Sequence, residues 1–123
     1  MKIYYYSIAG NIRRFLANCQ LDAELLTAST IAAEPFVLVT NTLGFGEVPA
    51  PVAAFLRNNH RHLIAVAGSG NRNWADNFAR AADLISEKYN VPLILKFELS
   101  GTAEDAKYFT ERVRCIDETY RVK

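Results

Sequence analysis

The chain has 123 residues, half of them hydrophobic, with 14 basic against 13 acidic side chains and a formal net charge of +1. That length suits one domain, 1–123, with a sizeable core, and the near-balance of charge excludes a nucleic-acid or membrane-surface binder held by a general electrostatic field. Two cysteines, Cys19 and Cys115, are too few for a disulfide framework and too far apart for a zinc knuckle, which points to a reduced, cytoplasmic protein.

Ile3-Tyr4-Tyr5-Tyr6 is an unbroken apolar and aromatic run, the pattern of a central strand covered on both faces. The chain reaches it without a basic-then-apolar leader, and no apolar stretch attains membrane-spanning length, so neither secretion nor membrane insertion is expected. Ser7-Ile8-Ala9-Gly10-Asn11-Ile12 follows, a turn-prone segment that opens onto a helix. Such a corner aims unpaired backbone N–H groups and the positive end of the helix dipole at one point, where a phosphate is well received. Ile12, Phe15, Leu16 and Cys19 recur at i, i+3, i+4 and i+7, which predicts one buried helical face and makes Cys19 a small core hydrophobe. Leu25 and Leu26 mark a short, weak edge strand, and residues 28 to 35, too few for a long helix, predict a short helical turn.

Phe36-Val37-Leu38-Val39-Thr40 is a second strongly apolar strand, and it runs into the loop Asn41-Thr42-Leu43-Gly44-Phe45-Gly46. Pro49 and Pro51 suit the start of a helix whose inner face is Val52, Phe55 and Leu56. His60 and His62 read as a solvated turn rather than a metal site, because no carboxylate or third histidine stands nearby in sequence. Leu63 to Ala67 is a third apolar strand, followed by a loop from Gly68 through Ser69, Gly70, Asn71, Arg72 and Asn73 to Trp74. Trp74, Phe78, Ala81 or Ala82, Ile85 and Tyr89 keep helical period, so Trp74 is either a core residue or a ligand platform. Beyond Val91-Pro92 a strand alternates, with Leu95, Phe97 and Leu99 apolar against Lys96 and Glu98. Thr102 and Asp105 resemble a capping box, and Ala106, Phe109, Val113, Ile116 and Tyr120 form the stripe of a last helix.

Strands that alternate with helices predict an α/β fold with a doubly wound, five-stranded parallel sheet and helices on both faces. With the weak second strand and the alternating fifth at the edges, the order becomes 2-1-3-4-5, that of flavodoxins. The loops after strands 1, 3 and 4 then share one carboxyl edge. The first supplies amides for phosphate. The second brings Asn41, Thr42, Leu43 and two glycines that let backbone approach a planar ligand, with Phe45 as a face. The third adds Gly68, Ser69, Gly70, Asn71, Asn73, Arg72 and Trp74. Backbone groups that read a ring edge, with aromatics over its faces, suit flavin mononucleotide (FMN). A response-regulator receiver is disfavoured, since Thr40-Asn41 and Ser7-Ile8 stand where acidic groups would be needed. A serine hydrolase is disfavoured too, because neither Ser7 nor Ser69 sits in a nucleophile elbow.

Ser7 with Gly10-Asn11 and Arg14-Phe15, Thr42 to Gly46, Gly68 to Trp74, and Lys96-Phe97-Glu98-Leu99-Ser100-Gly101-Thr102 together resemble the NrdI family of flavodoxin-like proteins. The resemblance implies an FMN-binding redox protein that serves class Ib ribonucleotide reductase. It would supply superoxide or peroxide, or electrons, to the dimanganese-tyrosyl radical subunit, with dioxygen as substrate, a separate flavin reductase as electron donor and no metal of its own. The alternative is a conventional flavodoxin that carries single electrons. In the family role the chemistry lies on the flavin, and Gly44 would let an adjacent carbonyl accept a hydrogen bond from flavin N5. One departure stands out: Ala9 and Ile12 occupy positions where flavodoxin-type loops usually carry hydroxyl residues, which predicts moderate flavin affinity.

Overall fold

The computed structural model describes residues 1–43 and 46–122, side chains of Ala75, Arg121 and Val122 excepted. Its sheet runs β2-β1-β3-β4-β5, all parallel, from β1 (Lys2–Tyr6), β2 (Glu24–Leu25), β3 (Phe36–Thr40), β4 (Leu63–Gly70) and β5 (Leu93–Glu98). This is the expected order. The helices are α1 (Asn11–Asn18), α2 (Ala50–Asn59), α3 (Arg80–Tyr89) and α4 (Ala103–Val122).

All five residues of β3 are buried, because the strand lies at the middle of the sheet and is covered on both sides. Its side chains alternate between two cores. Val37 and Val39 pack with Phe15, Phe97 and Phe109 beneath α1 and α4, while Phe36 and Leu38 pack with Phe55, Leu56 and Ile85 beneath α2 and α3. In the first core Phe15 stacks on Phe97 with ring centroids 4.0 Å apart and meets Phe109 edge-on at 5.4 Å. Cys19 lies in that core, as its helical register predicts. Thr102 and Asp105 form the reciprocal cap of α4: the Thr102 N–H donates to Asp105 Oδ2 at 2.9 Å, and the Asp105 N–H to Thr102 Oγ1 at 3.0 Å.

Four expectations need correction. Residues 28 to 35 hold no helical turn; a hydroxyl-rich turn from Thr27 to Thr30 replaces it, and Asn59 ties it to α2 by accepting from the Ala32 N–H and donating to the Thr30 carbonyl. β4 continues three residues past Ala67, since Gly68, Ser69 and Gly70 pair with Lys96, Phe97 and Glu98 of β5. The helix foreseen from Trp74 onward starts only at Arg80, as α3; Trp74 lies in a 3-10 segment, Arg72–Asn77, separated from α3 by Ala79 at φ 48°. In β5 the buried residues are Ile94 and Phe97, and Leu99 leaves the strand at φ 52° with 48% of its surface exposed. Among the described residues no helix is long and apolar enough to cross a membrane.

Candidate functional site

Parallel strands deliver their carboxyl ends to one edge of the sheet, and here the ends of β1, β3, β4 and β5 surround a cleft of about 230 Å³. Its walls are Asn11 from the start of α1, Asn41 and Thr42 after β3, and Ser69, Gly70, Asn71 and Trp74 at the end of β4. Asn77, Ala79 and Leu99 complete it. Seven of the sequence-predicted residues, from Asn11 to Trp74, therefore meet around one cleft.

The other predicted residues stand elsewhere. Gly10 takes φ 80° and caps α1 with no side-chain hydrogen bond, which leaves the first-turn N–H groups free of intrahelical partners. Ile8 is 64% exposed and Ala9 is also exposed, whereas Ile12 is fully buried in the core and offers a ligand nothing but backbone. Ser7 is half-buried at the end of β1. Leu43 and Glu47 exchange backbone hydrogen bonds of 2.9 and 2.7 Å, closing the loop after β3, and Gly46 lies beneath the Arg80 side chain. Gly44 and Phe45, the proposed flavin tuner and ring face, lie outside the described residues. Asn73 donates its N–H to Asn71 Oδ1 at 2.9 Å and is exposed.

Gly68 and Gly70 owe their place to packing. A Cβ on Gly70 would stand 2.5 Å from the Ala79 nitrogen, and one on Gly68 would stand 2.6 Å from Ala82 Cβ. Their bare backbones let α3 and its lead-in rest on β4, which brings Ala79 to the cleft wall. The Ala81 N–H, in the first turn of α3, donates to Thr42 Oγ1 at 3.2 Å, so the loop after β3 is fastened to the same helix. Trp74 is 43% exposed at the cleft, which settles its two readings against the core.

Three residues that sequence reasoning left out of the site belong to its frame. Ser69 Oγ donates to the Leu99 carbonyl at 2.7 Å, and Ser100 Oγ donates to Asn11 Oδ1 at 3.1 Å. The Arg14 guanidinium donates through Nη2 to Asn11 Oδ1 and through Nε to Ser100 Oγ, at 2.5 and 3.3 Å. The loop after β5 thus joins the cleft, and its place on the carboxyl edge of the sheet was the signal that could have found it.

Among the described residues one buried side-chain polar atom is left over. Asn41 lines the cleft, and its side-chain Oδ1 is buried without a hydrogen-bond partner, a costly state that a ligand donor relieves. A flat ligand rich in N–H and O–H donors fits an orphan acceptor flanked by backbone and by amide side chains. Among the described residues no group of three His, Cys, Asp or Glu side chains is placed to hold a metal ion. His60 and His62 lie in a 3-10 turn, where His60 Nδ1 stands 3.0 Å from the Leu56 carbonyl and the ring stacks on Tyr89.

Solved structures share the fold over nearly the whole chain. A short-chain flavodoxin associated with a bacterial microcompartment superposes with a TM-score of 0.75 at 16% identity, covering 96% of each chain. A flavodoxin from Streptococcus pneumonia TIGR4 gives 0.67 at 22% identity over 89% of this chain and 92% of that one. Oxidised flavodoxin 2 from Bacillus cereus gives 0.64 at 19% identity over 97% and 99%. A family model described as NrdI flavodoxin-like matches residues 3–111, and the fold and family together imply a flavin cofactor. With its strand order, its cleft at the carboxyl edge and a match over most of its length, the chain belongs to the NrdI flavodoxin-like family.

Proposed function

We propose that this protein binds FMN and activates class Ib ribonucleotide reductase, supplying a reduced-oxygen oxidant or electrons to the dimanganese-tyrosyl radical subunit. The orphan Asn41 Oδ1 in a cleft at the switch point of a flavodoxin-like sheet carries the flavin part of this reading; the family match supports the reductase part. When bound, FMN would supply one- and two-electron chemistry and reactivity toward dioxygen.

The residues divide the work of holding it. Asn41, Thr42, Ser69, Gly70 and Asn71 offer backbone groups and side-chain amides to a ring edge, with Trp74 at the wall. Asn11 connects this cleft to the start of α1, where Gly10 leaves first-turn N–H donors for a phosphate. At about 230 Å³ the cleft is smaller than a whole-ligand pocket, which commonly exceeds about 300 Å³, so it takes part of the cofactor and leaves the rest on the rim. Ile8 and Leu99 are exposed apolar side chains on the loops after β1 and β5, at the edge where a partner would have to approach.

The test has two steps. The purified protein should take up FMN and turn yellow; a chain that binds no flavin overturns the reading. Reduced holoprotein, oxygen and the manganese-loaded radical subunit should then give a tyrosyl radical by electron paramagnetic resonance. Transfer of single electrons to a soluble acceptor with no radical formed would make it a conventional flavodoxin.

A further inference from the structure

Arg14 occupies an electrostatically unfavourable place. It is the fourth residue of α1, and helical side chains lean toward the N-terminus, so its guanidinium reaches back over Gly10. Nη1 stands 3.2 Å from the point where a Gly10 Cβ would be. A cation there faces the positive end of the helix dipole. Its environment does little to offset this: the first turn of α1 holds no acidic residue, and among the described residues no carboxylate stands within ion-pair distance of Arg14. Its hydrogen-bond partners are the neutral oxygens Asn11 Oδ1, taken by Nη2, and Ser100 Oγ, taken by Nε. Nη1, the nitrogen nearest Gly10, donates to no described residue.

The same neighbourhood carries an independent sign of a ligand. Asn11, which holds the guanidinium, lines the cleft with Asn41, whose buried Oδ1 has no donor among the described residues. Among the described residues, an acceptor without a donor therefore lines the cleft, and a cation without an anion stands one hydrogen bond away from it, on Asn11. A molecule that bears both an anionic group and N–H or O–H donors satisfies them together.

Resting on the flavin reading above, we propose that Arg14 is the charged ligand of the cofactor phosphate. It takes over the role of the hydroxyls that Ala9 and Ile12 do not supply. Asn11 and Ser100 hold two corners of the guanidinium fork, so that Nη1 is presented to the phosphate with little ordering left to do. The dianion reverses the unfavourable placement of the cation, because it is attracted both by Arg14 and by the end of the helix.

Titrations of flavin fluorescence with FMN and with riboflavin test this, since the two share ring and ribityl chain and differ by the phosphate. Arg14→Met is expected to weaken FMN binding roughly 10- to 100-fold, the loss of one charge-assisted hydrogen bond, and to leave riboflavin binding unchanged. Arg14→Lys should recover part of the loss, and the fall of FMN affinity with salt seen in the wild-type chain should flatten in Arg14→Met. Equal losses for both flavins, or none for FMN, overturn the assignment, as does wild-type FMN binding that is insensitive to salt. Melting curves confirm that the exposed substitution leaves the fold intact. A wild-type chain that binds neither flavin overturns the functional reading itself, a result distinct from failure of Arg14 alone.

Discussion

Ser69 Oγ donates to the carbonyl of Leu99 at 2.7 Å while the Leu99 N–H donates to the carbonyl of Gly70 at 3.0 Å, so both backbone groups of one residue are gripped by the end of β4. Leu99 holds φ 52°, a left-handed conformation that costs a residue other than glycine roughly 1–2 kcal/mol. The grip sustains that conformation, and with it the loop that carries Ser100 to Asn11. Ser69→Ala should therefore lower stability by about 1 kcal/mol in urea unfolding. Leu99→Asn, which tolerates the left-handed region and gives up a half-exposed side chain, should raise it by about 0.5–1 kcal/mol. A destabilised Leu99→Asn would show that the leucine side chain, rather than the strained backbone, governs this corner.

The architecture was legible because its determinants are local and periodic. Phe36 to Thr40 reads as a fully covered strand and is one, and Thr102 with Asp105 forms the cap that its spacing announces. The pairing of the loops at Asn11, Asn41 and Asn71 followed from strand order alone. What escaped depends on partners distant in sequence. Gly68-Ser69-Gly70 has the composition of a loop, and it is strand only because β5 pairs with it and α3 needs the space its side chains would fill. Trp74 kept the period of α3, yet Ala79 at φ 48° breaks the helix before it can reach that far back. Arg14 and Ser100 are 86 residues apart, and no pattern along the chain announces their contact.

The two glycines of β4 should respond differently to an added methyl group. In Gly68→Ala the clash is with one side-chain atom, Ala82 Cβ, at 2.6 Å, whereas in Gly70→Ala it is with the Ala79 backbone at 2.5 and 2.9 Å. Overpacking of this kind costs about 1–3 kcal/mol. Adding Ala82→Gly should restore much of the stability lost in Gly68→Ala, less about 1 kcal/mol for glycine inside a helix, and should do nothing for Gly70→Ala. Double-mutant cycles on thermal unfolding measure the coupling; its absence between residues 68 and 82 would contradict the packing described.

Burial pushes the Cys19 thiol above its ordinary 9.0, with a hydrogen bond to Thr110 acting the other way. On raising the pH, the unfolded chain loses this proton first, so the folded state binds more protons and stability declines from about pH 9 upward. Burial raises Tyr4 likewise from 10.0, which adds a second decline above that pH. Cys19→Ala should remove the slope between about pH 9 and 10 and keep the later one. At pH 8 a thiol reagent should label exposed Cys115 at once and buried Cys19 after addition of urea. Prompt labelling of both in the native protein would contradict the core position of Cys19.

Asn41 should separate stability from binding. Its buried Oδ1 has given up hydration without gaining a donor among the described residues, which weighs against the free protein by about 1–3 kcal/mol. Asn41→Leu, close to it in shape, removes the orphan acceptor. The ligand-free protein should then become more stable by about 1 kcal/mol, while FMN binds about tenfold more weakly because its donor finds no acceptor. The opposite signs matter, since a residue that serves packing alone would lose stability and binding together. Melting temperatures with and without saturating FMN read both effects in one experiment: the free variant melts above wild type, and its gain on adding FMN is smaller. A free variant that melts lower would show Oδ1 to be satisfied already, and an unchanged FMN shift would remove Asn41 from the site.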